Sequence, residues 1–200
     1  LDETYRDFDS RAQPPHGLFQ NQDWSDTLVQ LYSFSKAYRL TGHRVGALVA
    51  SQSRLAEVEK FLDSIAICAP QLGQHAALWG MQNLRDWLAA ERLEILDRRQ
   101  AISQGFSALQ PQGWQLLGLG AYFAYLRHPF ALPSDLLAQH MVRDIGVLAL
   151  PGTMFTPPGD PRGVTEIRVA FANINANEIE NLFARLQSLR LPLAQPVSGA

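Results

Sequence analysis

Ser33-Phe34-Ser35-Lys36-Ala37-Tyr38-Arg39-Leu40-Thr41-Gly42-His43-Arg44-Val45-Gly46 brings a lysine, two serines and an arginine close together in the chain. Lys36 stands between a short apolar run (Leu28, Val29, Leu31, Tyr32) and a Thr/Gly turn. Val45 to Ala50 forms a second strand-like run beyond it. Two hydroxyls precede the lysine closely and Arg44 follows it. This pattern predicts an amine held at a strand end, with hydrogen-bond donors close by.

Lysine forms Schiff bases with carbonyl compounds when enough of it is unprotonated. A guanidinium and two hydroxyls suit a phosphate dianion through charge-assisted hydrogen bonds. An amine beside a phosphate cradle points to pyridoxal phosphate, with Ser33, Ser35 and Arg44 as the phosphate groups.

Asp2 and Tyr5 come earlier, in a D-x-x-Y spacing, where Leu1 to Tyr5 reads as the tail of a strand running into a loop. Residues 9 to 27 are polar and contain Pro14-Pro15 and Gly17, so they predict a surface loop or short helix in which His16 is solvated. Leu28 to Tyr32 predicts a short buried strand and Val45 to Ser51 another. Ser53 is the expected N-cap of a helix whose apolar face is Leu55, Val58, Phe61, Leu62 and Ile65. Pro70 ends that segment. A longer helical region follows from Leu72, with Leu88, Ile95, Ile102 and Leu109 as its core stripe. Glu91, Arg92, Glu94, Asp97, Arg98 and Arg99 mark its solvated side.

From Gly113 the period shortens. Trp114 to Leu117 and Ala121 to Leu126 predict two β runs with a turn between them. Pro133-Ser134 opens a helix through Leu136, Leu137, His140 and Met141, which Gly146 stops. A brief strand is expected over Val147–Leu150, then a turn at Pro151-Gly152-Thr153-Met154-Phe155 and a strand over Ile167–Phe171. Asn175 and Glu178 have capping-box spacing ahead of Ile179, Leu182, Phe183, Leu186 and Leu189, an amphipathic helix closed by Pro192 and Pro196.

The 17 Lys and Arg nearly balance the 19 Asp and Glu, so no basic excess points to nucleic acid. No apolar run approaches the length that crosses a bilayer, and no basic-then-apolar leader opens the chain. Cys68 is the only cysteine; it is expected to be a small buried residue in a reducing, cytoplasmic setting. No residues are spaced for a metal.

The pattern S-x-S-K-x-x-R-x-x-G-x-R-x-G at 33–46 resembles the cofactor-lysine segment of the class I/II (fold-type I) pyridoxal-phosphate aminotransferases. The order P-G-x-x-F at 151–155, then I-R-V-A-F at 167–171, resembles the end of the same family. The resemblance implies an α/β fold: residues 1–90 as the C-terminal part of the cofactor-binding large domain, and 91–200 as an α+β small domain with the linking helix. An N-terminal portion is then expected upstream of residue 1. It further implies that Lys36 carries the cofactor, that Asp2 pairs with the pyridinium nitrogen, that Tyr5 bonds the ring hydroxyl and that Arg168 grips the substrate α-carboxylate. The implied activity is transamination between an amino acid and a 2-oxo acid by a homodimer. Two alternatives stay open. One is a β-lyase or decarboxylase on the same scaffold; the other is an aminotransferase-like ligand-sensing domain of a transcription regulator. Tyr122, Phe123 and Tyr125 read as core packing, with pocket lining as the alternative. Side-chain specificity is not legible.

Overall fold

A computed structural model describes residues 1–11 and 14–195, so Pro196, expected to help close the last helix, lies outside the described residues. The chain divides into two compact units, Leu1–Glu94 and Ile95–Ala200.

In the first unit, α1 (Trp24–Thr27) leads into β1 (Gln30–Ser33), which pairs antiparallel with β2 (Gly46–Val49). Asp2 forms a parallel bridge to Leu31, so the opening residues run alongside β1 as a strand tail. The Leu31 amide donates to the Leu1 carbonyl at 2.9 Å and the Glu3 amide to the Leu31 carbonyl at 2.8 Å. The predicted strand at 28–32 therefore begins two positions later. It is not wholly buried: Gln30 is covered and Leu31 is exposed, because side chains on a strand alternate between faces.

Two helices follow, α2 (Gln52–Ile65) and α3 (Gln71–Asn83). Ser51, not Ser53, caps α2, its hydroxyl accepting from the Arg54 amide. The expected apolar face of α2 is largely bare, with Phe61 63% and Ile65 65% exposed; the helical period is present, but no element among the described residues of this unit covers it. Cys68 is exposed as well, not buried. It follows a reversal at Ile67, whose φ is 61°. A small core of Phe34, Val45 and Ala77, with Tyr32, Tyr38, Leu40 and Ala69 against it, packs the β1–β2 loop onto α3.

The long helical region is two helices, broken at Leu84; the second, α4 (Arg85–Gly105), runs across the unit boundary. Part of its expected solvated side is engaged. Glu91 pairs with Arg39, and Arg92 donates to the carbonyls of Asp9, Ser10 and Arg11 at 2.8–3.0 Å.

The second unit is a four-stranded antiparallel sheet with helices on one face. It contains β3 (Gln115–Gly120), β4 (Phe123–Arg127), α5 (Ser134–Ile145), β5 (Leu150–Pro151), β6 (Glu166–Ala170) and α6 (Ala176–Ser188). The strand order is β3-β4-β6-β5. The turn after β3 falls at Ala121-Tyr122; Gly118 and Gly120 lie within the strand, beside a bulge between Leu116 and Gly118. The brief strand expected at 147–150 is displaced to Leu150–Pro151. Ala124, Leu126, Ile167 and Val169 meet Leu137, Met141, Ile179, Leu182, Phe183 and Leu186 in a continuous apolar core. Gly146 ends α5 at φ 64°, a conformation that suits a residue without Cβ. Among the described residues, no helix is long and apolar enough to cross a membrane.

Candidate active site

β1 delivers the chain into a tight turn at Phe34-Ser35, and Lys36 comes next. The Phe34 amide donates to the Val45 carbonyl at 3.3 Å and the Leu40 amide to the Phe34 carbonyl at 3.1 Å, closing the loop on itself. Phe34, Ala37 and Val45 are buried, which anchors the turn from below. Lys36 is half-buried, and its ammonium has no hydrogen-bond or ion-pair partner among the described residues.

The hydroxyls and the arginine gather around this turn. The Ser33 hydroxyl accepts from the Ser35 amide at 3.3 Å, and Ser35 is buried. Arg44 Nη1 donates to Ser35 Oγ at 3.4 Å and to the Thr41 carbonyl at 2.9 Å. Arg44 itself sits in the left-handed region at φ 50°, an unusual place for a residue with a Cβ. Those two bonds hold it there, and the rest of its exposed guanidinium fork remains available. Gly46 approaches the opposite strand so closely that a Cβ would stand 2.7 Å from the Tyr32 carbonyl oxygen.

Asp2 is exposed beside β1. Its Oδ1 accepts from the Thr4 hydroxyl at 2.7 Å and the Thr4 amide at 2.9 Å; these bonds hold its carboxyl below the usual range, against a small opposing effect of burial. Tyr5 is half-buried just ahead of the 3-10 turn Arg6–Phe8.

Glu3, between Asp2 and Tyr5, escaped the sequence reading. Its buried carboxylate accepts from Arg6 Nη1 at 3.0 Å, from His16 Nε2 at 2.9 Å and from the Gln30 side-chain amide. His16 is thus paired, not solvated. Its Nδ1 accepts from the Leu18 amide at 3.1 Å, which leaves the ring proton on Nε2 facing Glu3. Strand alternation is the signal that could have found Glu3: with Asp2 turned outward, residue 3 turns inward and needs partners. Asp7 likewise accepts from the Tyr32 hydroxyl at 2.6 Å. Burial first, and that bond second, push the Tyr32 phenol well above its ordinary pKa. Both contacts tie the segment carrying Asp2 and Tyr5 to β1, the strand that leads into the Lys36 turn.

Arg168 belongs to the other unit. It lies on β6, an inner strand, opposite Tyr125 of β4 and Leu150 of β5, so it is not an edge residue facing water. Its guanidinium carbon is 4.5 Å from the Phe123 ring centroid and 4.0 Å from that of Phe155. No carboxylate pairs with it among the described residues. Phe123 and Tyr125, read as core packing, instead lie half-exposed on the sheet face away from the helices. Tyr125 is raised in pKa by burial first and then by Glu166. Arg127 and Arg162, by contrast, are matched, Arg127 to Glu166 at 3.1 Å and Arg162 to Asp160 at 2.6 Å.

A family profile described as Aminotransferase class I and II matches residues 1–186. The chain is similar to an aspartate aminotransferase of Thermococcus kodakarensis, 29% identical over 77% of this chain and 39% of that protein. It is also similar to an LL-diaminopimelate aminotransferase of Nitratidesulfovibrio vulgaris, 25% identical over 92% of this chain and 46% of that protein. Among solved structures, YbdL from Escherichia coli, described as having a methionine aminotransferase function, superposes with a TM-score of 0.79 at 22% identity, over 94% of this chain and 48% of that one. That likeness shows the fold, the α/β arrangement of fold-type I enzymes. The chain spans less than half the length of the relatives it matches.

Proposed function

We propose, from the premise that this chain belongs to the class I and II aminotransferase family, that it carries the cofactor lysine and the substrate-carboxylate arginine of a pyridoxal-phosphate-dependent transaminase. The observation that carries the reading is the turn after β1. In that turn the Lys36 amine has no partner among the described residues and Arg44 meets Ser35 at 3.4 Å, while Asp2 is bridged to Leu31 of the strand that leads into it. These groups fit pyridoxal phosphate: an amine for the aldehyde, hydroxyls and a guanidinium for the phosphate, and a carboxylate held ionised for the ring nitrogen.

When bound, the cofactor supplies an electron-withdrawing ring that stabilises a carbanion at the substrate's α-carbon. Asp2 would keep a proton on the ring nitrogen, and the Tyr5 hydroxyl would donate to the ring oxygen. Ser33, Ser35 and Arg44 would hold the phosphate. Lys36 Nζ would carry the cofactor and would serve as the base that takes the substrate's α-proton and later gives it up again. Arg168 holds the substrate α-carboxylate in a bidentate fork. In this reading the first unit belongs to a cofactor-binding domain and the second to a smaller substrate domain. We extend it to a cytoplasmic homodimer acting on an amino acid and a 2-oxo acid.

The test uses the complete protein. Borohydride added after pyridoxal phosphate should fix the cofactor's mass on the peptide containing Lys36, and the wild type should convert 2-oxoglutarate and an amino acid to a new oxo acid. Lys36→Ala should lose both the visible absorption band and the labelled peptide. Label on another lysine, or a band that survives Lys36→Ala, overturns the reading.

A further inference from the structure

The run Pro151-Gly152-Thr153-Met154-Phe155 has no role in the chemistry above, yet its geometry is tightly determined. Pro151 pairs with Ile167 on β6. At Gly152 there is no space for a side chain: a Cβ would stand 2.7 Å from the carbonyl oxygens of both Glu166 and Gly163. The chain then makes a 3-10 turn over Gly152–Met154, closed by the Phe155 amide on the Gly152 carbonyl at 2.8 Å. The Thr153 hydroxyl donates to Asp135 at 2.6 Å and pins the turn to the start of α5. The outcome is a Phe155 ring set over the guanidinium of Arg168 at 4.0 Å, with the Phe123 ring at 4.5 Å.

We propose that Phe155 and Phe123 are positioning residues that clamp the Arg168 guanidinium between aromatic rings, and that the P-G-x-x-F turn exists to deliver one of those rings. The inference rests on Arg168 being the carboxylate grip. A free arginine side chain has many rotamers, and ordering it on ligand binding costs affinity. Ring contacts to the planar faces attract the cation while leaving its N–H edges open for a carboxylate. An acidic partner would order the arginine too, but would occupy those edges. The clamp therefore replaces a salt bridge that the site cannot tolerate. It also selects among ligands: the neighbouring cations Arg127 and Arg162 are already neutralised by Glu166 and Asp160. Beside these rings, and among the described residues, Arg168 is thus the guanidinium left without an acidic partner, which suits a monocarboxylate with an apolar side chain over a dicarboxylate.

Two readouts on the complete protein separate the clamp from the function it serves. In the NMR spectrum of the arginine side chains, the Nε–Hε signal that vanishes in Arg168→Lys should be ring-shifted in the wild type. It should move toward the common arginine position in Phe155→Leu and Phe123→Leu, and stay shifted in Phe155→Tyr. Calorimetric binding of 3-phenylpropanoate, which lacks the amine and cannot react, should weaken roughly fivefold in Phe155→Leu. It should weaken more in Arg168→Lys, and the double variant should be no weaker than Arg168→Lys alone, because the ring acts through the arginine. An unshifted signal, or a Phe155→Leu loss that persists in full in the Arg168→Lys background, overturns the clamp. A shifted signal with unchanged binding in Arg168→Lys leaves the clamp standing and overturns the carboxylate assignment. If Phe155→Leu does not fold, the Phe123→Leu arm carries the same test.

Discussion

Burial governs the protonation of His128, which is 4% exposed and has its pKa pushed down by desolvation, with the Val164 backbone opposing weakly. The folded protein holds the neutral ring where the unfolded chain takes up a proton near the ordinary histidine pKa. Stability is therefore full above that value and falls as pH drops from it toward the lower folded value. The carboxylates with lowered pKa, Asp2, Asp144 and Asp160, lose their contributions only in the more acidic range below the ordinary aspartate pKa. We expect the urea midpoint to decrease between pH 7.5 and pH 5.5, and His128→Leu to flatten part of that decrease; a parallel decrease in the variant would rule the histidine out. At this scale the chain names residue types without naming partners. Lys36, Arg44 and Arg168 stand out by chemistry and spacing. Glu3 does not, because its meaning depends on His16 and Gln30, which reach it only after the opening segment lies against β1.

Local signals serve best where an element satisfies its own backbone. The capping box expected of Asn175 and Glu178 is present in both directions: the Glu178 amide donates to Asn175 Oδ1 at 3.0 Å, and the Asn175 amide to Glu178 Oε2 at 2.8 Å. Every residue of the predicted α6 stripe is buried. Asn175→Ala should destabilise the second unit by about 1 kcal/mol, read as a lower denaturation midpoint with unchanged slope. A change under a few tenths would mean that the first turn is held by packing alone. In α2 the same kind of periodicity meets a different outcome. Its apolar residues share a face, but Phe61, Leu62 and Ile65 are exposed. Period reports which side chains lie together and is silent on what lies opposite them.

The two units differ sharply in how much apolar surface they bury. The second has a continuous core from Ile102 to Leu189, whereas the β1–β2 loop of the first rests on Phe34, Val45 and Ala77. Local opening free energy follows buried apolar contact. Hydrogen exchange should therefore show amides of β4, β6 and α6 exchanging at least about a hundredfold more slowly than those of α2; equal protection would refute this ranking. The sequence alone determined the lysine turn, the capped α6, the α5 stop at Gly146 and the order of strands and helices, because turn chemistry, caps and side-chain period act over a few neighbouring residues. Tertiary structure alone decided the Glu3 hub, the bare face of α2, the inner position of β6 and the rings around Arg168. Those contacts join residues far apart in the chain, and only the closing of the fold brings them within reach.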